Sequence, residues 1–402
     1  MNIAYKLWCR VFQIGFKVGS PVLPWRKPEL ISGPGSVSKL PAFIAAKGDK
    51  KVLVITGKTS WAKGRVKVLY DGLIAEGIEP IVYHDTVPNP TITNIEEAVK
   101  LYNDNGCTAI IAFGGGSPQD CAKGVGARIA RPNKTIPQMK GLFKVLKRIP
   151  TLYAIPTTAG SGSETTIAAV ISNSETHEKY PVNDICLIPR YAVLDPLTTL
   201  SLPAHITGTT GMDTLTHSVE AFIGRSNTRE TREMAIESVK LVFGNLKKAY
   251  DDGQNVEARH NMQLAAYYGG IAFTRAYVGY VHAIAHTLGG MYDVAHGLAN
   301  AVILPHILEY YGESCHKALA ELADNIGITD SQDSVAVKAE KFITAIKELN
   351  ASMEIPTSFT EIQEKDIPLM VKRAQAESNP LYPVPKLMDV EDMTAMYYKL
   401  KA

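Results

Sequence analysis

Short apolar runs alternate with helical patterns through the first half of this chain. The runs KVLVIT, PIVYH and TAIIAF predict strands, and the segments VKVLYDGLIAEG and NIEEAVKLYNDNG between them place apolar residues at helical spacing. Further strands are predicted at TLYAIP, TIAAVIS and YAVLD. Because strands and helices take turns, the pattern predicts a parallel sheet with helices on both faces.

The pattern changes after the segment LDPLTTLSLP. From Ala204 to Leu400 nearly every segment has helical periodicity, and runs of β-branched residues are few. We therefore predict a boundary near Leu202, between an α/β domain at residues 28–201 and an all-helical domain at residues 202–402. The chain has 402 residues, more than one hydrophobic core usually serves, which agrees with two domains.

The segment at residues 1–27 is richer in aromatic and basic residues than the rest of the chain. A helix there would place Leu7, Val11, Ile14 and Val18 on one stripe. Basic residues interrupt its apolar run and no small-residue cleavage site follows, so it resembles neither a signal peptide nor a spanning helix. The favoured interpretation is a segment docked on the body of the protein or on a second subunit. A helix lying on a membrane surface is the alternative.

Charge and cysteine content narrow the class of partner. Lysine and arginine total 42 against 40 acidic residues, which leaves a net charge of +2 and no basic stripe wide enough for nucleic acid. A small-molecule site is favoured instead. The five cysteines are scattered and form no CxxC pair, which is typical of free thiols in a reducing compartment, so we predict a cytoplasmic protein.

Histidine and aspartate spacing in the second half indicates a divalent metal site. Asp213 and His217 are four residues apart, which places both side chains on one face of a helix. His282, His286 and His296 fall within one stretch of a chain that has ten histidines. One carboxylate and three imidazoles, with a coordination position left open, make a Lewis acid. The alternative is a set of histidines paired with carboxylates.

The set of ligands is narrowed by position. Gly289 and Gly290 permit a turn that would return His296 to the site. His286 lies one helical turn from His282, so we assign it to a supporting position or to proton transfer, as the catalytic acid–base residue. The alternative for His286 is an ordinary hydrogen-bonded histidine.

Two loops rich in glycine and hydroxyl residues follow predicted strands. GGGS follows TAIIAF and opens a helix, where backbone N–H groups and the helix N-terminus attract a phosphate. IPTTAGSGSETT leaves the next strand in the same way. The alternative for both is a tight turn without a ligand. The dinucleotide-binding candidates from these loops are Gly115, Gly116, Ser117, Thr157, Thr158 and Ser161.

Two isolated residues are weaker cofactor candidates. Asn89 lies in DTVPNPT, where two prolines fix a rigid connection, and its alternative is an Asx turn. Lys179 lies in HEKYP, and its alternative is a solvated lysine.

Several motifs in order resemble the iron-containing (group III) alcohol dehydrogenases, near the lactaldehyde reductase and butanol dehydrogenase branches. They are GGGSPQDCAK, AIPTTAGSGSETT, LDPLTTLSLP, TGMDTLTHSVEAF, and GYVHAIAHTLGG followed by HGLANAVILPH. The resemblance spans roughly residues 28–400. It implies a Rossmann-like N-terminal domain, a helical C-terminal domain and a cleft for cofactor and metal, in a homodimer.

The same resemblance implies roles for individual residues. Iron ligands are implied at Asp213, His217, His282 and His296. Dinucleotide contacts are implied at Gly116, Ser117, Asp120, Thr157, Thr158 and Lys179, and a substrate-pocket position at Phe273.

One departure from the family pattern concerns the cofactor. Many NAD-preferring members end the first strand with an aspartate that binds the adenine ribose, whereas here Gly57 and Lys58 follow VLVIT. Without that carboxylate a 2′-phosphate is not repelled, and Lys58 could attract it. The expected cofactor is therefore NADP or NAD. The alternative is that Gly57 only shapes the turn.

The sequence thus predicts a metal-dependent, NAD(P)-linked alcohol dehydrogenase that acts on a small primary alcohol or aldehyde. Iron(II) is the expected metal and zinc the alternative. Two other functions remain open: a zinc enzyme resembling glycerol dehydrogenase or dehydroquinate synthase, and a non-catalytic scaffold on the same fold. No nucleic-acid partner and no clear membrane association are expected.

Overall fold

The computed structural model describes residues 3–174 and 178–402. The strands are β1 (Glu29–Ser32), β2 (Lys51–Gly57), β3 (Glu79–Thr86), β4 (Ala109–Gly114), β5 (Gly141–Leu142), β6 (Thr151–Pro156), β7 (Ala168–Asn173), β8 (Glu178–Asn183) and β9 (Tyr191–Leu194). The helices of the first half are α1 (Ile3–Gly19), α2 (Ser36–Ala46), α3 (Lys58–Ala62), α4 (Lys67–Ala75), α5 (Ile92–Asp104) and α6 (Gly116–Ala130).

The second half is helical throughout its described elements. Its helices are α7 (Ala204–Ile223), α8 (Arg229–Asp251), α9 (Val256–Ala276), α10 (Tyr280–Tyr292), α11 (His296–Tyr311), α12 (His316–Asn325), α13 (Val335–Ser352), α14 (Ile367–Ser378) and α15 (Val390–Leu400). Two compact units result. The α/β unit comprises Pro24–Leu202 and Gln254–Gln263, and the helical unit comprises Met1–Leu23, Pro203–Gly253 and Leu264–Ala402.

A six-stranded parallel sheet forms the centre of the α/β unit, as the alternating pattern predicts. Its strand order is β1-β9-β6-β4-β2-β3. β2 pairs with β3 on one side and with β4 on the other, so the direction of strand addition reverses between β2 and β4. In parallel sheets such a reversal opens a crevice at the carboxyl ends of the strands, where nucleotides bind.

The segment TIAAVIS does not join this sheet. It forms β7, which pairs antiparallel with β8 in a separate sheet of order β5-β8-β7. Apolar periodicity indicates a strand but not its partner, which is why the sequence pattern did not place it. The sequence pattern did not predict β8, because EKYPVN carries charged residues and Pro181 in a short strand.

Close packing of α6 on its neighbours explains a glycine in the motif CAKGVG. A Cβ atom at Gly124 would lie 2.5 Å from Cδ1 of Ile95 on α5. Glycine at this position therefore lets α6 approach α5 closely. That approach fixes the position of the α6 N-terminus beside β4.

α7 is the central helix of the helical unit. Every residue from Gly211 to Ile223 is buried, including the polar side chains of Asp213, His217 and Glu220, which therefore need partners inside the unit. α10 and α11 follow each other closely, but the turn between them is not made by Gly289 and Gly290, contrary to the sequence expectation. Both glycines lie inside α10, and the chain reverses at Asp293, which adopts a left-handed conformation with φ of 55°.

α1 packs on the helical unit by its polar side. Gln13 and Cys9 are buried, and the Gln13 amide donates hydrogen bonds to the carbonyls of Tyr382 at 2.8 Å and Pro380 at 3.1 Å. The Arg10 guanidinium donates to the Val384 carbonyl at 2.7 Å. The predicted stripe exists, but it faces outward, so docking on the body does not use it. In the part of the chain that the structure describes, no helix has the length and apolar character needed to cross a bilayer.

Candidate active site

The four predicted metal ligands converge within the helical unit. One potential ligand atom from each of Asp213, His217, His282 and His296 lies within 4.8 Å of the others. α7 supplies Asp213 and His217 one helical turn apart, α10 supplies His282, and α11 begins at His296. Three of the four residues are buried and His296 is partly exposed, so the cluster is open on one side.

Distances within the cluster are those of donor atoms gathered around one point. Asp213 Oδ1 lies 3.4 Å from His296 Nε2 and 4.0 Å from His217 Nε2. The His217 ring stacks on the His282 ring with centroids 4.6 Å apart. Neutral imidazoles can pack this way, whereas three protonated ones would repel each other.

Glu220 sets the tautomer of His282. Its carboxylate Oε2 lies 2.6 Å from His282 Nδ1 and also accepts the backbone N–H of Gly279 at 2.8 Å, while Oε1 accepts that of Val281 at 2.8 Å. With its Nδ1 proton donated to Glu220, His282 presents the lone pair of Nε2 to the cluster. Burial lowers the pKa of His282 well below its ordinary value, and the neighbouring His217 and His296 lower it further, so the ring is neutral.

The pKa of Glu220 is governed by its burial and by its hydrogen bonds. Burial raises the pKa of this carboxyl, and the hydrogen bonds from the Gly279 and Val281 backbone lower it by stabilising the ionised form. Glu220 was not among the residues predicted from the sequence. It lies seven residues after Asp213 and three after His217, so the same helical periodicity could have identified it.

The contacts of Asn300 show that hydrogen-bond acceptors outnumber donors in this cluster. Its Nδ2 lies 2.6 Å from Asp213 Oδ1 and 3.2 Å from the Nε2 atoms of both His282 and His296. An amide nitrogen carries two hydrogens and cannot donate to three acceptors at once. A carboxylate and three imidazoles in excess of the available donors match the ligand chemistry of Fe²⁺ or Zn²⁺. The residues present therefore fit a divalent metal.

His286 lies outside the four-residue cluster, and its side chain is about as exposed as that of His296. Its Nδ1 is 2.6 Å from Glu377 Oε1, which also accepts the Tyr382 hydroxyl at 2.8 Å. Burial raises the pKa of Glu377, but His286 and Tyr382 outweigh burial and the net pKa is lowered. The ring of His286 stacks on that of His296 at 5.2 Å, which places it at the open side of the cluster.

Phe273, the predicted pocket residue, contacts the cluster directly. Its ring stacks on His217 with centroids 4.1 Å apart and an interplanar angle of 14°. The side chain is only partly buried. An aromatic face beside a candidate ligand can both orient the imidazole and bound the space for a small apolar substrate.

The two glycine-rich loops of the α/β unit face each other at the carboxyl ends of β4 and β6. A Cβ atom at Gly115 would lie 3.3 Å from Thr158 Oγ1, and one at Gly116 would lie 3.5 Å from Ser161 Oγ. The backbone N–H of Thr157 donates to the Gly114 carbonyl at 3.1 Å. Each loop was predicted from its own motif, and in the structure the two loops meet at the N-terminus of α6.

Asn89, Ser117 and Lys179 also meet at this end of the sheet. The backbone N–H of Asn89 donates to Ser117 Oγ at 3.3 Å, and Lys179 Nζ donates to Asn89 Oδ1 at 2.6 Å. Asn89 is held with φ of 56° between two prolines. Lys179 is exposed but not isolated, because this amide orients it.

Asp120 interacts mainly with other protein groups. It accepts a hydrogen bond from Ser163 Oγ at 3.1 Å, and burial raises the pKa of Asp120 to about 6 despite the attraction of Lys123. Lys123 is completely buried and donates to Ser163 Oγ, Thr166 Oγ1 and the Ala168 carbonyl. Lys123 was not among the residues predicted from the sequence; its three hydrogen bonds connect α6 to the second loop.

Gly57 ends β2 next to the reversal point of the sheet. A Cβ atom there would be in ordinary contact, 3.4 Å from the Thr86 carbonyl oxygen. The following residue, Lys58, forms an exposed ion pair with Asp85 at 3.2 Å. The end of β2 thus carries an amine, and the nearest carboxylate identified belongs to β3.

With this geometry established, comparison with known families decides the class. The family described as "Iron-containing alcohol dehydrogenase" matches residues 27–196, and the family described as "Fe-containing alcohol dehydrogenase family, C-terminal" matches residues 207–400. This chain belongs to the iron-containing alcohol dehydrogenase family. The resemblance inferred from the motifs is confirmed, and so is the fold class of a Rossmann-like α/β part followed by helices.

Similarity to individual relatives extends over most of the chain. It is 36% identical to 1,3-propanediol dehydrogenase of Klebsiella pneumoniae over 351 residues, 86% of this chain and 90% of the relative. It is 34% identical to the NAD-dependent methanol dehydrogenase of Bacillus methanolicus over 349 residues, 86% of this chain and 91% of the relative. A crystal structure of a 1,3-propanediol oxidoreductase superposes with a TM-score of 0.90, at 33% identity, covering 94% of this chain and 99% of the other.

Membership of this family establishes the enzyme class that the sequence predicts. The protein is an oxidoreductase of the iron-containing alcohol dehydrogenase type. The family matches begin at residue 27, so α1 lies outside them.

Proposed function

We propose that this dehydrogenase interconverts small primary alcohols and their aldehydes with a nicotinamide cofactor. The observation that carries the proposal is the convergence of Asp213, His217, His282 and His296 in a chain of this family. Relatives named for 1,3-propanediol and methanol support a short, unbranched substrate. The Phe273 ring beside His217 supports a pocket with an apolar wall.

We assign the four converging side chains as ligands of Fe²⁺. When bound, the metal would supply a Lewis acid for the substrate oxygen, and the nicotinamide would exchange a hydride with the substrate carbon. Glu220 keeps His282 Nε2 unprotonated and so available as a ligand. Asn300 donates to Asp213 and fixes the direction of that carboxylate.

His286 is assigned the transfer of the alcohol proton. Its Nδ1 is held by Glu377, which leaves Nε2 as the atom that accepts or releases the proton. Its partly exposed position at the open side of the cluster gives that proton a route to solvent. General acid–base help of this kind is typically worth about a hundredfold or more in rate.

The facing loops are assigned to the dinucleotide. Backbone N–H groups of Gly115 and Gly116 at the start of α6 would hold its phosphates, with hydroxyls of Thr158 and Ser161 beside them. Thr157, Asn89, Ser117 and Lys179 would line the same end of the sheet. Asp120 is assigned a positioning role, because its carboxylate accepts a hydrogen bond from Ser163 of the second loop.

We further propose that NADPH is accepted as well as NADH. Gly57 presents no carboxylate to repel a 2′-phosphate. The Lys58 amine, which pairs with Asp85, can form an ion pair with the 2′-phosphate instead. The relative from Bacillus methanolicus is named an NAD-dependent methanol dehydrogenase, so a ratio of activities with the two cofactors rather than an exclusive choice is expected.

The test is turnover by the iron-loaded, anaerobically purified protein. Oxidation of NADH and of NADPH is followed by absorbance over a series of short aldehydes, and of 3-hydroxypropanal in particular. Cofactor oxidation proportional to aldehyde supports the proposal. Consumption of a substrate without net cofactor turnover would indicate a lyase like dehydroquinate synthase, and cofactor binding without any turnover would indicate a scaffold.

Two finer expectations accompany this function. A cytoplasmic location is supported by five free cysteine thiols, all in the described part of the chain. A homodimer is expected for this family, and light scattering of the purified protein tests it.

A further inference from the structure

The polarity of α1 is inverted relative to an ordinary surface helix. Cys9 and Gln13 are its buried residues, while the large apolar side chains face away from the body. The exposed fractions are 62% for Leu7, 60% for Ile14 and 70% for Val18. A helix that only had to cover the helical unit would turn these residues inward.

The exposed apolar side chains of α1 form one contiguous stripe. Its members are Ile3, Leu7, Val11, Ile14 and Val18, at helical spacing opposite Cys9. Seven of the nineteen exposed large apolar side chains in the described part of the chain belong to this single helix. Isolated exposed apolar residues need no explanation, but a continuous patch marks an interaction surface.

The docked face is specified by polar contacts that leave the stripe outward. The carbonyls of Val384 and Pro385 accept from Arg10, and Lys17 Nζ donates to the Arg225 carbonyl at 2.8 Å. Phe16 adds an edge contact to Tyr277, with ring centroids 6.2 Å apart. These contacts hold the helix at a defined rotation, so the exposure of the stripe is not a consequence of a loosely attached segment.

The charges beside the stripe are of one sign. Lys6, Arg10 and Lys17 form a row along one flank, and α1 contains no acidic residue. Burial lowers the pKa of Arg10, and the nearby Arg225 lowers it further. The opposing group identified is Asp389, whose carboxylate lies near Lys6.

Aromatic residues occupy the other flank. Trp8 and Phe12 lie with ring centroids 5.9 Å apart, and Phe12 and Phe16 with centroids 4.9 Å apart. Trp8 is 53% exposed. An apolar stripe with a basic row on one side and a tryptophan on the other is the composition of helices that lie in the interface of an anionic bilayer.

We propose that α1 docks this dehydrogenase on the surface of a membrane that contains anionic phospholipid. The stripe from Ile3 to Val18 enters the interface, and the exposed amines of Lys6 and Lys17 lie at the level of the phosphates, while Arg10 stays bonded to the carbonyls of the body. Pairing with α1 of a second copy is disfavoured by charge, because two such helices bring their basic rows together with no acidic residue on either helix.

Co-sedimentation with lipid vesicles tests the proposal on the full chain. The wild type is expected to bind vesicles of phosphatidylcholine with about one-third phosphatidylglycerol and not to bind phosphatidylcholine alone. Raising NaCl from about 0.1 M to about 0.5 M is expected to release it, because the Debye length falls from about 10 Å to about 4 Å and the attraction between the amines and the lipid phosphates is screened.

The variant Leu7→Gln/Val11→Gln removes apolar area from the stripe without touching the docked face. It is expected to reduce the partition coefficient at least about tenfold. The matched control is Val68→Gln/Ile74→Gln on α4, whose side chains are exposed to a similar degree, 60% and 53%, and which should leave binding unchanged. Aldehyde turnover and the melting temperature of both variants report whether the fold is intact.

Three outcomes would overturn the proposal. The first is equal binding of the wild type to anionic and neutral vesicles, and the second is loss of binding in the α4 control. The third is that the wild type does not bind anionic vesicles. In that case light scattering of the wild type and of Leu7→Gln/Val11→Gln compares their oligomeric states. A changed oligomeric state would assign the stripe to a contact between copies of this chain.

Discussion

The variant Glu220→Gln tests how the candidate metal centre is held together. Glu220 accepts three N–H groups, from Gly279, Val281 and His282 Nδ1, and its side chain is 2% exposed. A glutamine has one carbonyl oxygen for these three donors, and its NH₂ group must face at least one of them. A buried donor left unsatisfied costs about 1 to 3 kcal/mol.

The effect on metal affinity is separate from the effect on stability. Without a carboxylate at Nδ1, His282 loses the partner that fixes its tautomer and its ring orientation. Removal of such a partner typically weakens metal binding about 10- to 100-fold, which corresponds to about 1.4 to 2.8 kcal/mol. Both losses are therefore expected, each of a few kcal/mol.

The assay measures metal affinity by competition with a chromogenic chelator, and stability by the melting temperature of the metal-free protein. The control is Glu97→Gln in the α/β unit, where the carboxylate accepts the Tyr83 hydroxyl at 2.7 Å and no ligand is involved. It should leave metal affinity unchanged. Metal affinity of Glu220→Gln within about threefold of wild type, with stability reduced, would refute the role assigned to Glu220.

Three further predictions concern protons and cofactor. Burial raises the pKa of Glu164 to about 7, so the folded state retains a proton that the unfolded state releases near its ordinary pKa of 4.5. Stability therefore falls as pH rises from about 4.5 to about 7, and Glu164→Gln is expected to reduce that fall by about 1 to 3 kcal/mol in melting experiments. Glu377→Gln is expected to lower kcat about tenfold or more through His286 while metal content stays at the wild-type level. Gly57→Asp is expected to raise KM for NADPH about 10- to 100-fold and to spare NADH.

Each of these has an outcome that contradicts it. An unchanged slope of melting temperature against pH in Glu164→Gln would mean that this carboxyl is ionised in the folded state at low pH. Loss of metal from Glu377→Gln would make the residue a support of the ligands rather than of proton transfer. Equal losses with NADPH and NADH in Gly57→Asp would indicate that the turn, not the charge, matters.

Much of the fold follows from periodicity alone, because buried parallel strands and amphipathic helices leave distinct patterns. The strand β7 shows the limit of prediction from periodicity. Its partner β8 has a weak apolar pattern, and the direction in which two strands pair is not encoded locally. The turn before His296 shows a second limit. Glycine was expected to make it, but Asp293 does, because a short polar side chain also tolerates the left-handed region.

The candidate site was predictable to the extent that its residues share a helix. Asp213 and His217 follow from spacing, and Glu220 and Asn300 lie at helical spacing from predicted ligands. Glu377 carries no such signal, since only the tertiary fold brings α14 to α10. The outward stripe of α1 was visible in the sequence, but which face docks depends on the carbonyls near residue 384, which are remote in the chain.

Metal content of the double variant Asp213→Ala/His282→Ala is the most direct test of the metal centre. It is measured by inductively coupled plasma mass spectrometry on anaerobically purified protein, beside the wild type and the exposed control Val68→Gln. We predict about one iron per wild-type and control chain, and less than about one-tenth of that in the double variant, with aldehyde reduction lost in parallel. Full metal content and turnover in a folded double variant would contradict the assignment of this cluster as the catalytic metal site.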